Sequence, residues 1–237
     1  MRNILTITGK EIKTYFASPM AYVVAAVFLV INGYFFVASL SGAFPEATIR
    51  GFIFPSSFVL MFLTPLLTMR LFAEEAKMGT LELLLTAPVQ DYQVVVGKFF
   101  ASLAILAIMV ALTGYFAVLL FIYGDPDAGP ILSGFLGTLL LGAAFLSVGV
   151  FASSLTSNQI VAAVVAFGLL LLLWVINGAG SLFSGIPREI FDYLAPPTHF
   201  RDFAFGVIDT KDVIYFLSLS AAFLLFTVQS VGTRRWR

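Results

Sequence analysis

The sequence has no cysteine, a single histidine and few charged side chains. The absence of cysteine excludes disulfides, thiolate metal sites and thiol nucleophiles, and one histidine cannot build a histidine metal cluster. The phosphate-binding pattern G-x-x-x-x-G-K-[S/T] is also absent, so no nucleotide site is predicted. The 13 basic and 13 acidic residues balance to a net charge of zero, so no excess of basic residues suggests nucleic-acid binding. We therefore expect a non-catalytic chain that holds no cofactor or metal of its own.

Apolar residues, in contrast, are abundant. They make up 60% of the 237 residues, and only 11% are charged, against about 25% in soluble proteins. Six apolar stretches are long enough, at about 1.5 Å per residue, to cross a hydrocarbon core of about 30 Å. They are 19–40, 52–69, 99–123, 131–155, 160–182 and 213–231. The prediction is an all-α membrane protein that forms one transmembrane domain over residues 1–237.

Local signals refine these spans. The first stretch is longer than the roughly 7–15 apolar residues of a signal peptide, so it is predicted to remain as a span. Ser18 is its expected N-cap and Pro19 its first helical residue. Pro55 and Pro65 predict a kink in the second span. Small residues four positions apart predict close helix packing in the fourth span: Ser133 with Gly137, and Gly149 with Ser153.

Charge is concentrated at 70–98, between the second and third spans. The segment 74–87 is predicted to form one short helix. Its regular, amphipathic part spans 74–85, and Pro88 is expected to end it. That face is formed by Leu81, Leu84 and Leu85. A polar, amphipathic helix between two spans favours contact with a partner protein. The alternative is a loop helix that lies on the lipid surface.

A second mixed segment, 183–212, separates the fifth and sixth spans. It is predicted to form two short amphipathic helices that dip into the outer leaflet. Pro187 is expected to open the first helix, Pro196 and Pro197 to end it, and Thr198 to cap the second.

The second of these helices has a predicted buried row. We expect Arg201 and Asp202 to face water, and His199 to be a plain interfacial residue with no partner histidine. The residues expected to be buried on one face are Phe200, Phe203 and Val207.

Basic residues predict the orientation of the chain. Three lie in the amphipathic lead-in 1–17, three in the segment 70–98 and three in the C-terminal tail, against four on the opposite side. Because cytoplasmic loops are enriched in Lys and Arg, this asymmetry predicts that both termini and the segment 70–98 are cytoplasmic. The lead-in is expected to lie along the inner membrane surface.

None of the six proposed spans contains Asp, Glu, Lys, Arg or His. This argues against a transporter with a buried proton site and against a channel with a charged filter, although a sodium site made of carbonyls stays open. Polar residues in the spans are expected mainly to hydrogen-bond between helices. The candidates to line a pathway are Asn32, Thr64, Thr68 and Asn177.

The segment 70–98 carries a family resemblance. From Arg70 to Val89 it reads R-x-x-A-E-E-x-x-x-G-T-L-E-L-L-L-T-x-P-V, and Gly97-Lys98 leads into the next span. This pattern resembles the signature of ABC-2-type transporter permeases, most closely the gliding-motility-associated and copper-reductase-maturation branch. The opening from Lys10 to Tyr22, K-E-I-x-x-Y-F-x-S-P-x-A-Y, is similar to the same branch.

The resemblance implies a fold and partners. The fold is that of ABC-2, or type V, exporters, with an N-terminal connecting helix, a cytoplasmic coupling helix at 74–87 and outer re-entrant helices at 183–212. Two such subunits, alike or paired with a relative, would work with two cytoplasmic ATPase subunits that bind ATP and magnesium. Spans one, two and five would line the path. The residues implied to contact the ATPase are Glu74, Glu75, Gly79, Thr80, Leu81, Glu82, Leu84 and Leu85.

Three functions are consistent with these features. The first is the membrane subunit of an ATP-driven exporter in a bacterial cytoplasmic membrane. The second is a mechanotransmitting subunit, in which ATP hydrolysis reshapes an outer partner and no substrate passes. The third is a non-transporting scaffold of a surface machine. The branch resemblance also implies a second membrane component with a large outer domain.

Overall fold

The computed structural model describes residues 2–41, 48–80, 89–180 and 185–234. All regular structure within these ranges is helical. The helices are α1 (Arg2–Ala17), α2 (Pro19–Leu40), α3 (Arg50–Thr68), α4 (Arg70–Met78), α5 (Asp91–Tyr123), α6 (Ala128–Leu155), α7 (Gln159–Gly180), α8 (Ile186–Leu194), α9 (Pro196–Ala204) and α10 (Thr210–Arg234). Six of them, α2, α3, α5, α6, α7 and α10, are long and apolar enough to cross a membrane, which confirms the expected number.

Local sequence signals explain several helix ends. The hydroxyl of Ser18 accepts the backbone N–H of Met20, and Pro19 occupies the first helical position of α2, as predicted. Asp127 caps α6 in the same way, accepting the N–H of Gly129 at 3.0 Å. Helix α5 begins at Asp91 and extends more than two turns before the predicted span 99–123.

The predicted helix over 74–87 is not continuous in its described part. The structure begins α4 at Arg70 and ends it at Met78, because Gly79 takes a left-handed backbone conformation with φ of 69°. Glycine is the common residue at this position, since it has no Cβ to clash. Residues 81–88, which include the predicted apolar face and Pro88, lie outside the described residues.

Helix α6 occupies the centre of the bundle. In the apolar stretch of α6, 67% of the residues are buried. The corresponding share is 22% in α2 and α10 and 17% in α7. Around α6 pack α10, α3, α7, α5 and α9, and α4 contacts its C-terminal part. The poorly buried apolar faces of α2, α7 and α10 are therefore the surfaces that face lipid or a further chain.

Small residues allow these close contacts, as the sequence predicted for α6. A Cβ added to Gly137 would lie 2.5 Å from the Cβ of Phe203, and one added to Gly149 would overlap the side chain of Thr68. Gly137 therefore allows α9 to pack closely against α6, and Gly149 allows the same for the C-terminal part of α3.

Replacing Gly149 with alanine is expected to lower the free energy of unfolding by about 1–3 kcal/mol, because the new methyl group overlaps Thr68 in a filled core. Denaturation in mixed detergent micelles, followed by circular dichroism, measures this. Gly168→Ala is the matched control, since a Cβ there has nothing within 4 Å. The control should be neutral or slightly stabilising. Equal free energies of unfolding in the two variants would contradict the close contact between Gly149 and Thr68.

The two ends of the bundle carry different short helices. Helices α1 and α4 lie near the C-terminal end of α6, where Ser153 contacts Phe72, and we name this the α4 end. Helices α8 and α9 lie near its N-terminal end, where the Ser133 hydroxyl donates to the Phe203 carbonyl oxygen at 2.7 Å; this is the α9 end.

At the α9 end, the prediction of two short helices is confirmed, with corrections. Pro196 is the first residue of α9 and Ala195 its N-cap, so Thr198 does not cap it. Phe200 and Phe203 are buried as expected. Val207 is exposed, because α9 ends at Ala204 and Gly206, with φ of 92°, turns the chain away.

His199 also differs from expectation. It is buried and contacts Asp212 and the carbonyl oxygen of Tyr193, so it is not a plain interfacial residue. Sequence proximity gave no sign of this pair, because α9 must fold back against the start of α10 to form it.

Candidate functional site

A group of charged side chains, three of them largely buried, joins three helices at the α4 end. We name it the Lys98 cluster, and it consists of Lys10 and Glu11 on α1, Glu75 on α4 and Lys98 on α5. The Lys98 ammonium lies 3.0 Å from Glu11 Oε1 and 2.9 Å from Glu75 Oε1, and its side chain is only 1% exposed. Lys10, which is 65% exposed, approaches the same two carboxylates at 3.8 and 3.7 Å. The four charges sum to zero, as the burial of charged groups requires.

The Gly97-Lys98 pair of the motif explains how α1 reaches α5. A Cβ on Gly97 would lie 2.9 Å from Ile7 Cγ2 and 3.2 Å from the Ile4 carbonyl oxygen, so glycine permits the close approach of α1. The Thr8 hydroxyl donates to the Gly97 carbonyl oxygen at 3.0 Å. Helix α1 is therefore packed along α5, and its place on a membrane surface stays a prediction.

Tyr15 and Phe72 shield the cluster on its apolar side. Lys98 Nζ lies 5.3 Å from the centre of the Phe72 ring, within the range of a cation–π contact. The Tyr15 hydroxyl donates to the Leu67 carbonyl oxygen at 2.7 Å and so connects α1 to the end of α3. Burial, and secondarily the nearby Glu11 carboxylate, raise the pKa of Tyr15, so the phenol stays neutral and remains a donor.

Arg70 connects α4 to the junction of α1 and α2. Its Nε and Nη2 donate to the two carboxylate oxygens of Glu74 at 2.7 and 3.2 Å, a bidentate pair one helical turn apart. Its Nη1 donates to the Ser18 hydroxyl at 2.7 Å. The same serine caps α2, so the first residue of α4 is tied to the first turn of the first span.

Ser153 on α6 holds the junction between α3 and α4. Its hydroxyl accepts the backbone N–H groups of Phe72 and Ala73, each at 3.1 Å, and donates to the Met69 carbonyl oxygen at 3.0 Å. In a continuous helix those N–H groups would donate to the carbonyls four residues earlier. A side chain inserted into this ladder is a known cause of a helix break. Ser153 therefore positions α4 as an element distinct from α3.

A cavity of about 550 Å³ lies beside the cluster. Its walls come from α1, the start of α2, the end of α3, α4 and Lys98. The cavity therefore lies on the side of α4 that faces α1 and the Lys98 cluster.

The structure separates the predicted ATPase-contact residues into three groups. Glu74 and Glu75 are partly buried and pair with Arg70 and Lys98 of the same chain. Gly79 and Thr80 are exposed at the end of α4. The remaining four lie outside the described residues: Leu81, Glu82, Leu84 and Leu85. Contact of any of them with an ATPase stays a prediction.

The proposed pathway residues lie inside the bundle. Asn32, Thr64 and Thr68 are each 0% exposed. The Asn32 amide donates to the Phe28 carbonyl oxygen at 2.7 Å, and its oxygen accepts the Ser56 hydroxyl from α3. Thr64 and Thr68 donate to carbonyl oxygens of their own helix, those of Leu60 and Thr64, each at 2.8 Å. Pathway lining by these residues stays a prediction. The side chain of Asn177 lies outside the described residues.

Sequence reasoning missed Glu11, Lys98 as a buried cation, and Ser153 as a hydrogen-bonding group. The available signals were the acidic residue within the otherwise basic lead-in and the lysine fixed after glycine in the motif. Among the described residues, no three His, Asp or Glu side chains come together as a metal-binding group. The cluster contains no nucleophile beside a base; its chemistry is that of ion pairs that hold α1, α4 and α5 together.

The family model for ABC-2 family transporter proteins matches residues 18–231. No curated protein matches the sequence. The matched region includes all six helices that are long enough to span a membrane, together with α4, α8 and α9. The chain therefore belongs to the ABC-2 family of transporter proteins, as a multi-pass permease subunit.

Proposed function

We propose that this permease subunit couples ATP hydrolysis by a separate cytoplasmic ATPase to export across the membrane, with α4 as the element that transmits the motion. The observation that carries the proposal is the attachment of α4. Its buried side is joined to α1, α5 and α6 through Lys98 and Ser153, while its end at Gly79 and Thr80 is exposed. A partner that displaces the exposed end therefore acts on three helices at once.

The energetics favour movement of α4 as a rigid body. Separating Glu75 from Lys98 would leave buried charges unpaired, at a cost of about 3–5 kcal/mol. Displacing α4 together with α1 and the start of α5 keeps those pairs intact, and the adjacent cavity of about 550 Å³, which the start of α2 and the end of α3 also line, provides space for the displacement. Two packed states that differ in this way form a rigid-body switch.

The internal ion pairs narrow the surface proposed to bind the ATPase. Because Glu75 and Glu74 are engaged with Lys98 and Arg70, we place the contact in the segment that begins at Gly79. In that segment Glu82 offers a charge to a basic partner surface. The apolar part of the contact is proposed for Leu81, Leu84 and Leu85, with Thr80 at its edge.

Reversing the charge in Glu82→Lys is expected to weaken the complex with the ATPase about tenfold, equivalent to about 1.4 kcal/mol, because lysine would face a basic surface. Leu84→Asp should weaken it as well by placing a charge in the apolar contact. Recovery of the ATPase in co-purification, and ATP hydrolysis stimulated by the permease, measure both effects.

Glu189→Lys is the matched control, since Glu189 is an exposed acidic residue on α8 at the opposite end of the bundle. It should leave ATPase recovery unchanged. If Glu82→Lys and Leu84→Asp also retained full recovery and full stimulation, the proposed docking segment would be only a surface loop.

Orientation and assembly complete the proposal. We place both termini and the α4 end in the cytoplasm of a bacterium, on the asymmetry of basic residues. The weakly buried faces of α2 and α7, with α3, would line a path between two copies or between this chain and a relative.

A labelling experiment tests the orientation. A cysteine introduced at Asp127 should react only with reagents added outside the cell, and the chain has no native cysteine to interfere. Labelling solely from the cytoplasm would reverse the orientation.

Mechanotransmission is the second candidate, and one observation favours it. Helix α9 is packed on α6 through Gly137 and Ser133, so movement of α6 would displace the opposite surface of the protein. The resemblance to the gliding-motility branch would supply an outer-domain partner for that surface. ATP-dependent flux in reconstituted vesicles indicates export. A function that requires ATP hydrolysis by the ATPase but shows no flux indicates mechanotransmission. A function that requires neither ATP hydrolysis nor flux indicates a scaffold.

A further inference from the structure

The cavity at the α4 end has walls of two kinds, and the coupling proposed above uses only its volume. That volume, about 550 Å³, lies within the range of about 300–1,000 Å³ that is usual for ligand sites. Its apolar wall comes from α2, α3 and α4 and consists of Met20, Ala21, Leu66, Leu67, Leu71 and Met78. A wall of this kind stabilises an apolar chain that leaves water or lipid to enter it.

Two cations beside this wall have N–H groups that are not used within the chain. Lys10 approaches Glu11 and Glu75 at 3.8 and 3.7 Å, which is too long for a hydrogen bond. Arg70 has five N–H groups, of which three donate to Glu74 and Ser18. Among the described residues, none accepts the other two. A ligand that supplies acceptors would satisfy these donors, and phosphate oxygens form strong hydrogen bonds with such cations.

One acceptor at the cavity lacks a donor. Glu75 Oε1 lies 2.9 Å from the Lys98 ammonium, whereas Glu75 Oε2 is buried and has no hydrogen-bond partner among the described residues. A buried carboxylate oxygen without a donor is costly. A ligand that carries an ammonium would supply the missing donor.

The charges that line the cavity balance. Three are basic and three are acidic: Lys10, Arg70, Lys98, Glu11, Glu74 and Glu75. A ligand with no net charge preserves this balance, whereas a purely anionic or purely cationic ligand leaves one charge in excess in a partly buried place. The lining therefore favours a ligand that carries one phosphate and one ammonium.

We propose that the cavity binds a zwitterionic membrane lipid, with its phosphate at Lys10 and Arg70, its primary ammonium at Glu75 and one acyl chain along the apolar wall. The start of α2 and the end of α3 both line the cavity, so the site lies at one end of two membrane-spanning helices, where lipid headgroups lie. Phosphatidylethanolamine has this chemistry. Phosphatidylcholine carries the same charges but has no N–H group, and phosphatidylglycerol has the phosphate without the ammonium.

The bound lipid would hold α4 in place. Its headgroup contacts α1 and α4, and its acyl chain contacts α2 and α3, so it fills the space between the helices that are proposed to move and those that are not. This consequence rests on the proposed function: lipid binding should lower the ATP hydrolysis that the permease stimulates. The binding itself does not depend on that function.

Protection of a single cysteine measures the binding, because the chain has no cysteine of its own. Met20→Cys places a thiol in the apolar wall. Val23→Cys, one turn further along α2, is the matched control, since Val23 is exposed and does not line the cavity. In phosphatidylcholine nanodiscs, added lysophosphatidylethanolamine should slow the reaction of Met20→Cys with N-ethylmaleimide about tenfold and leave Val23→Cys unchanged.

The headgroup comparison is the decisive part of this experiment. Lysophosphatidylcholine and lysophosphatidylglycerol with the same acyl chain should need about tenfold higher concentrations for the same protection, because each leaves Glu75 without its donor. Equal protection by the three lipids, or no protection by any, would overturn the proposal. So would a Met20→Cys thiol that is unreactive before any lysolipid is added, since another part of the protein would then fill the cavity.

Lys10→Met tests the phosphate contact in the Met20→Cys chain. It should raise the concentration of lysophosphatidylethanolamine for half-protection about tenfold. Lys13→Met is the matched control, because Lys13 is an exposed lysine of the same helix that does not line the cavity, and it should change nothing. Equal effects of the two substitutions would overturn the placement of the phosphate. The headgroup comparison uses native Lys10, so it decides the proposal even if Lys10→Met folds poorly.

ATP hydrolysis stimulated by the permease is measured separately, at lipid concentrations that protect Met20→Cys. We expect it to fall as the cavity fills. Full protection of Met20→Cys with unchanged hydrolysis would contradict the proposed movement of α4, and the lipid site would stand.

Discussion

Replacing Lys98 with methionine is expected to lower the free energy of unfolding by about 3–5 kcal/mol. The Lys98 ammonium lies 3.0 Å from Glu11 and 2.9 Å from Glu75, and its side chain is 1% exposed. Methionine preserves the apolar stem but leaves two carboxylates near each other without this cation. Denaturation in mixed detergent micelles, followed by circular dichroism, measures the loss.

Lys10→Met is the matched control, because Lys10 approaches the same carboxylates at 3.8 and 3.7 Å but is 65% exposed. Its loss should cost about 0–1 kcal/mol. Adding Glu75→Gln to Lys98→Met should recover part of the stability, since the double variant no longer buries that unpaired charge. Similar small losses in both lysine variants, with no recovery in the double variant, would mean that the cluster is not a buried ion pair.

The number of long helices was predictable because a hydrocarbon core imposes a length that apolar stretches must meet. The start of α2 was equally predictable, since Ser18 and Pro19 act locally. The predicted helix at 74–85 differs from the structure in its described part for a different reason. The leucine spacing favoured a helix that continues past Gly79, whereas the structure ends α4 there in a left-handed conformation. Glycine was the better local signal.

The candidate site was less predictable because its contacts are distant in sequence. Glu11 and Lys98 are 87 residues apart, and each looks like an ordinary surface charge in its own segment. The same is true of His199 and Asp212, which meet only when α9 folds against α10. Charge pairing across helices follows from the packing, and the motif letters alone indicate a partner surface, not the internal pair that Glu75 forms.

The internal pairs change how the motif residues are interpreted. The motif implies that Glu74 and Glu75 contact the ATPase, yet both form ion pairs within the chain, with Arg70 and Lys98. Their role in the proposed mechanism is therefore to hold α4 on α1 and α5, and the exposed part of the motif is left to make the contact. Two attachments, the Lys98 cluster and Ser153, then determine whether a displacement of α4 reaches the spans.

Ser153→Ala is expected to lower the free energy of unfolding by about 2–4 kcal/mol. The substitution removes the acceptor of the Phe72 and Ala73 N–H groups and the donor to the Met69 carbonyl oxygen. Each buried N–H left without a partner costs about 1–3 kcal/mol. Mixed-micelle denaturation measures the change, and ATP hydrolysis stimulated by the permease should fall with it, because α4 loses its attachment to α6.

The neighbouring Ser154→Ala is the matched control. Ser154 is also buried on α6, but its hydroxyl donates only to the Phe151 carbonyl oxygen of its own helix at 2.7 Å. Removing that bond leaves no N–H group unsatisfied, so a loss of about 1 kcal/mol or less is expected. If Ser153→Ala were as stable as Ser154→Ala, α3 and α4 would have fused into one helix that restores its own hydrogen bonds. The break between them would then not depend on Ser153.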